Sequence, residues 1–161
     1  AWAKGEHQAF YRYILYAKQC ASHASHTNNH WKAPEKNTML MNNLLKNGLQ
    51  KHRQEEVDFL KDRYAFQVVR MAHYLDRNER AVHLFDSLLA QRPESYIYFR
   101  AMEQAGGALR ALYHPKAAYY FSRVFDELPD RSEVALKSFR VTSQEDWEQS
   151  LGFCKNKQDA T

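Results

Sequence analysis

Ala81-Val82-His83-Leu84-Phe85-Asp86-Ser87-Leu88-Leu89-Ala90-Gln91-Arg92-Pro93 is answered 36 residues later by Ala117-Ala118-Tyr119-Tyr120-Phe121-Ser122-Arg123-Val124-Phe125-Asp126-Glu127-Leu128-Pro129. Ala81 falls on Ala117, Phe85 on Phe121, Leu88 on Val124, Leu89 on Phe125 and Pro93 on Pro129, while upstream Ala72 falls on Ala108. A spacing of four puts the small and the aromatic residue on one helix face, and the proline marks where the helix ends. Self-similarity at this period is the sign of a helical repeat, whose units are helix pairs too thin to cover their own apolar faces, so that they stack. The reading is an all-α chain, a right-handed α-α superhelix of about eight helices. Such arrays present concave surfaces that usually bind other proteins and rarely catalyse.

Working outward from the repeat, prolines occur only at 34, 93, 115 and 129 and glycine is scarce, so punctuation marks helix ends and gives little sign of strands. A first helix is expected over about 6–20, with Phe10, Ile14 and Ala17 at helical spacing and enough aromatics (Phe10, Tyr11, Tyr13, Tyr16) to suggest burial on more than one side. A polar segment from Ser22 to Pro34 follows as the one long loop. The second helix spans about 38–52 with Asn37 or Thr38 as N-cap, and the third about 58–75. Asp76 with Glu79 reads as a cap and its reciprocal acid for a fourth helix to about Gln91; Ser95 caps a fifth to about Tyr113, and Pro115 opens a sixth to Leu128. The same cap device is read at Asp130 with Glu133 for a seventh helix to about Phe139. It is read again at Thr142 with Glu145 for an eighth that places Trp147, Leu151 and Cys154 on one face.

A hydrophobic content of 44% with 14% aromatics is ample for a core in 161 residues. No apolar stretch approaches the roughly 20 residues that span a bilayer, so no membrane insertion by this segment is expected. The charge of +4 is spread thinly, 8 Lys/Arg against 5 Asp/Glu over residues 1–60 and 15 against 14 over 61–161, which argues against a nucleic-acid partner. Two distant cysteines, Cys20 and Cys154, make no disulfide framework. The chain opens Ala1-Trp2-Ala3 and its last residues read as the start of a further helix, so it is read as a piece of a longer protein with an apolar end surface.

At Ala81, Phe85 and Pro93, and again at Ala117, Phe121 and Pro129, the pattern resembles the tetratricopeptide repeat, with Val69 departing from the small residue expected in the first helix of the unit and Ala105 conforming. The units are then 58–93, 94–129 and a degenerate, truncated 130–161, preceded by an N-terminal helix pair over 1–57 with its His-rich loop. A second resemblance lies in Phe59-Leu60-Lys61-Asp62-Arg63-Tyr64-Ala65-Phe66-Gln67, Tyr119-Tyr120-Phe121-Ser122-Arg123-Val124-Phe125-Asp126 and Lys155-Asn156. These are similar to a family of large bacterial proteins, often with exported or lipid-anchored termini, that carry a degenerate repeat region. That likeness implies a segment of an envelope-associated or periplasmic protein and supplies no activity.

The tetratricopeptide likeness implies that the first helix of each pair lines a concave groove. Arg63, Phe66, Arg70, His73 and Tyr74 from one unit and Phe99, Met102, Gly106, Leu109 and Arg110 from the next would line it. Forked arginine donors hold carboxylates and rings give contact area at small entropic cost, so an acidic or C-terminal segment of a partner protein is the expected ligand. The competing reading is a structural spacer, with those arginines paired to neighbouring acids and the aromatics in the core. Gly106-Gly107 inside a helix costs roughly 2 kcal/mol against two alanines, which close helix contact would offset. Cys20, His23, His26 and His30 could be drawn as a zinc site, but the spacing matches no ligand pattern, and a polar loop pinned by Trp31 is the preferred reading. No phosphate-binding glycine loop, His-Glu-x-x-His or nucleophile elbow is found, so neither enzyme nor cofactor is expected.

Overall fold

The computed structural model describes residues 6–23 and 36–154. Among these, every regular element is helical: α1 (Glu6–Ser22), α2 (Thr38–Gln54), α3 (Asp58–Tyr74), α4 (Asn78–Leu88), α5 (Tyr96–Ala111), α6 (Lys116–Glu127), a single 3-10 turn over Pro129–Arg131, α7 (Ser132–Ser138) and α8 (Gln144–Leu151). The eight expected helices are all present. Each packs on its neighbours, giving an all-α superhelical arrangement. No helix among the described residues is long and apolar enough to cross a membrane.

Three of the helix starts follow from their cap residues. Asn37 accepts a hydrogen bond from Leu40 N at 3.0 Å, Ser95 from Tyr98 N at 3.3 Å and Ser143 from Asp146 N at 3.0 Å. Such caps are worth about 1 kcal/mol each. The last is one residue beyond the expected Thr142, whose backbone N and hydroxyl instead both bond the Asp146 carboxylate. Asp76 is not the cap of α4 but the stop of α3. It adopts a left-handed φ of 59°, its N–H bonds His73 O and the next N–H bonds Ala72 O. That pair of bonds is the Schellman closure, in which Asp tolerates the left-handed position better than most residues. Tyr113, φ 55°, closes α5 the same way through Arg110 O and Leu109 O. Asp130 likewise caps nothing: the chain turns through a 3-10 helix there, and Asp130 accepts from the Tyr96 hydroxyl at 2.9 Å.

The packing order explains the repeat. α3 packs against α4 within its pair and against α5 of the next pair, and α4 also meets α5; α1 and α2 stand in the same relation to α3. The N-terminal pair therefore occupies the place of one more unit. The corresponding positions do corresponding work: Ala72, Ala81, Ala108 and Ala117 are buried, as are Phe85 and Phe121. Phe85 ties the two units together, its ring 5.4 Å from Tyr98 and 5.5 Å from Tyr120. Fully burying such a side chain contributes about 1.5–3 kcal/mol. The equivalence fails at Leu89 and Phe125. α4 stops at Leu88, so Leu89 turns into the core, whereas α6 stays helical nearly a turn longer and carries Phe125 outward.

The first helix departs from expectation. α1 buries one side alone, through Tyr16 and Cys20, and leaves Phe10, Tyr11, Ile14 and Leu15 exposed, because among the described elements α2 and α3 are the ones that pack on it. Tyr16 donates to Leu44 O at 3.0 Å across Gly48, where an added Cβ would run into the Tyr16 hydroxyl and lie 2.6 Å from Val68 Cγ1. At the other end α7 and α8 attach chiefly to α6, and Ala135 and Ser150 are their buried residues. Trp147 and Leu151 are both more than a third exposed, and with Val134 and Leu136 they leave that end apolar.

Candidate interaction groove

α1 and α5 both pack on α3, the helix that carries the first set of expected groove residues. The expected groove residues divide into three groups. Phe66, Phe99, Met102, Gly106 and Leu109 are buried in the core. Arg63, Arg70, His73 and Tyr74 are partly exposed along α3. Arg110 is fully on the surface; its guanidinium is 5.7 Å from the Phe121 ring, and it borders a separate cleft of about 580 Å³ with Tyr113, His114, Arg140, Thr142 and Asp146.

The two glycines serve helix contact. A Cβ on Gly106 would lie 3.3 Å from Phe121 Cζ and from Tyr120 Cβ, and one on Gly107 would lie 2.8 Å from His73 Nε2. α5 is thus pressed between α6 and the His73 ring. That ring stacks on Tyr74 with centroids 5.7 Å apart, and Nδ1 bonds Asn78 Oδ1 at 3.0 Å. Burial pushes His73 below the usual histidine range, opposed by the Asn78 hydrogen bond and nearby Asp76.

The arginines differ in how they are satisfied. Arg63 lies over the Phe59 ring, Cζ 3.3 Å from its centroid, and donates to Phe59 O at 3.1 Å. Arg92 directs its Nε and Nη2 edge at Asp62, at 2.7 and 3.5 Å. Arg131 directs the same edge at Glu103, at 3.0 and 2.5 Å. This side-on fork matches the two oxygens of a carboxylate. Arg70 presents that edge to nothing: its Nε and Nη2 are both enclosed and have no hydrogen-bond partner. Burial lowers its pKa from the ordinary arginine value, and the groups nearest to it, Tyr74, Cys20, Tyr13 and Arg100, include no carboxylate.

Two more unsatisfied atoms belong to the same region. Gln67, one turn before Arg70 on α3, is buried, interacts with the Tyr13 phenol of α1 and leaves Oε1 without a partner. Arg100 of α5 lies 6.0 Å from the Phe66 ring, against 5.4 Å for Arg70, so both guanidinium groups flank one aromatic. Arg100 Nε is 3.4 Å from Glu103, outside hydrogen-bond geometry, because that carboxylate is already held by Arg131. Tyr13, Gln67 and Arg100 were not singled out by the sequence. Gln67 and Arg70 at i and i+3 were readable as neighbours on one helix face, but nothing in a single sequence signals that both remain unpaired.

The remaining expected chemistry is quickly placed. Cys20 is buried beside Tyr16, and burial pushes its thiol above the usual range. No cluster of three metal-ligating side chains occurs among the described residues, and His26, His30 and Trp31 lie outside them. Comparison with protein-family models, curated proteins and solved structures gives no match.

Proposed function

We propose that the chain is a protein-interaction module of tetratricopeptide-like build, which takes a peptide segment of a partner protein in the groove floored by α3 and walled by α1 and α5. One observation carries this reading: the unfilled fork of Arg70. Leaving a buried polar group without a partner costs about 1–3 kcal/mol, more when it is charged, and folded proteins satisfy nearly all such groups. Arg92 and Arg131 show how this fold satisfies an arginine fork when the acid comes from its own chain. An acid from outside would complete Arg70. Arg63 and Tyr74, partly exposed along the same helix, supply the flanking contacts.

A structural spacer is the second reading, favoured by the burial of Phe66, Phe99, Met102 and Leu109, which leaves the floor less aromatic than a recognition groove usually is. A photo-crosslinking residue at Tyr74, with a control at the outward Phe125, separates the two in a lysate of the source organism. Adducts formed at position 74, absent at 125 and lost on Arg70→Ala support the groove. Equal labelling at both positions, or none, favours the spacer.

A further inference from the structure

A cleft of about 580 Å³ opens between the turn that joins α5 to α6 and the segment that joins α7 to α8. Arg110 lines it from the last turn of α5 and Arg140 from the connecting segment. Both are exposed, and among the described residues neither has an ion pair or a hydrogen bond. The lining carboxylate, Asp146, is taken up by the backbone N–H and hydroxyl of Thr142. Tyr113 completes the rim with a left-handed φ of 55°, a helix-stop position ordinarily given to glycine or asparagine. Its ring is 96% exposed and draws no packing from the fold in return. The first N–H groups of α6 are spent on His114 and Pro115, so that helix offers the cleft its field alone.

The geometry points to a phosphomonoester of a planar ring as the ligand of this cleft, its phosphoryl oxygens shared between the Arg110 and Arg140 guanidinium groups and its ring laid against Tyr113. The site lies apart from α3 and goes beyond the groove reading. A carboxylate, with two oxygens in one plane, fills a single fork, as Asp62 fills Arg92 and Glu103 fills Arg131. Two arginines on separate elements call for more oxygens and more charge, which a phosphoryl group carries near neutral pH. The Phe121 ring, 5.7 Å from the Arg110 guanidinium, steadies that group without using its donors. The field at the start of α6, which borders the cleft through Pro115, Ala117 and Ala118, favours the same sign of charge. A bare phosphate would leave most of the volume unfilled. Ala117, Ala118 and Val141 give the organic part an apolar wall, and Tyr113 gives it an aromatic face.

The test uses the whole chain and calorimetric titration with phenyl phosphate, inorganic phosphate and benzoate. Phenyl phosphate is expected to bind saturably, and the other two to bind more weakly by about tenfold. Arg110→Gln and Arg140→Gln should each weaken phenyl phosphate by about tenfold and leave Tm unchanged, because both side chains lie on the surface. Arg53→Gln, on the surface of α2 and outside the cleft, should leave binding unaltered. Tyr113→Gly relieves the left-handed turn and removes the ring, so Tm should rise while phenyl phosphate weakens by about threefold, a pairing that unfolding would not give. AMP and a short peptide carrying phosphotyrosine separate a free nucleotide from a modified partner protein as the source of the ester; whichever binds more tightly than phenyl phosphate identifies it. Benzoate bound as tightly as phenyl phosphate would overturn the phosphoryl assignment. No saturation at millimolar phenyl phosphate, or binding unmoved by either arginine variant in the cleft, would overturn the site. The α3 groove stands or falls separately, on the Tyr74 crosslinks.

Discussion

On one flank of α5, Glu103 is held at both oxygens by Arg131 and approached by Arg100; on the neighbouring face of α3, Arg70 offers the same fork and meets no acid. The difference follows from what covers each place. Arg131 comes from the 3-10 turn after α6, so the following segment of chain completes the first pair and clips itself to α5. Nothing in the described part of the chain reaches over α3 between α1 and α5 with a carboxylate. Pairing is complete where a later segment of the chain supplies the acid and incomplete on α3, where none does. The largest effect should therefore come from breaking the closed pair. Glu103→Gln leaves Arg131 without its acid and should cost about 3 kcal/mol, a fall in Tm of about 6–12 °C for a domain of this size. Arg131→Met in the same chain should restore most of it; a fall of less than a degree for the single variant would erase the contrast.

The joint between the two places is the contact of Gly107 with His73. The His73 ring is held by Asn78 and stacked on Tyr74, so it has little room to swing away from an added methyl. Gly107→Ala should destabilise by about 2 kcal/mol, within the range for overpacking a tight site. In a double-mutant cycle with His73→Ala the two costs should fall short of adding; strict additivity in urea midpoints would mean that α5 does not rest on that ring.

Arg70→Met should move stability the other way. It removes a guanidinium whose buried edge is unpaired and keeps the apolar stem packed, so a gain of about 1 kcal/mol is expected, read as a higher urea midpoint. A comparable loss would mean that Arg70 is satisfied as it stands, and the contrast with Arg131 would collapse.

Much of the architecture was legible from residues 81–93 and 117–129, because the small residues Ala81 and Ala117 and the aromatic Phe85 and Phe121 are buried in both units. Ala81 and Phe85 could be placed for that reason. The caps were legible where a serine or asparagine accepts from the N–H three residues on, at Asn37 and Ser95, and misread at Asp76 and Asp130. There the same residue type serves a left-handed helix stop or a cross-chain hydrogen bond, and one letter does not distinguish those uses. The candidate groove was legible in part. Register placed Arg63, Arg70, His73 and Tyr74 along one face of α3, and all four are partly exposed. It also assigned Phe66, Phe99 and Met102 to the surface, although all three are buried. Whether an arginine has an acid depends on residues distant in sequence, as Glu103 and Arg131 show, and no local pattern carries that.

The smallest effect sharpens the comparison by pH. His73 is neutral in its packed site, and burial holds its folded pKa below the ordinary value of 6.5; His52, in the last turn of α2, is shifted in the same direction for the same reason. Between the folded and unfolded pKa values the unfolded chain binds more protons, so stability is fully present above about pH 6.5 and declines as pH falls through that value. The charged groups facing His73 set the size of the effect: Asp76 favours protonation, while Arg110 and Lys36 oppose it. Lys36 is itself drawn to Asp76 by an ion pair at 2.7 Å, which blunts the one acidic influence. Unfolding of His73→Gln followed from pH 7.5 to 5 should show a shallower decline than the wild type, with the remainder belonging to His52. If the two profiles coincide, His73 gains no proton on unfolding in that range, and the floor of the groove is not the place where acid loosens this fold.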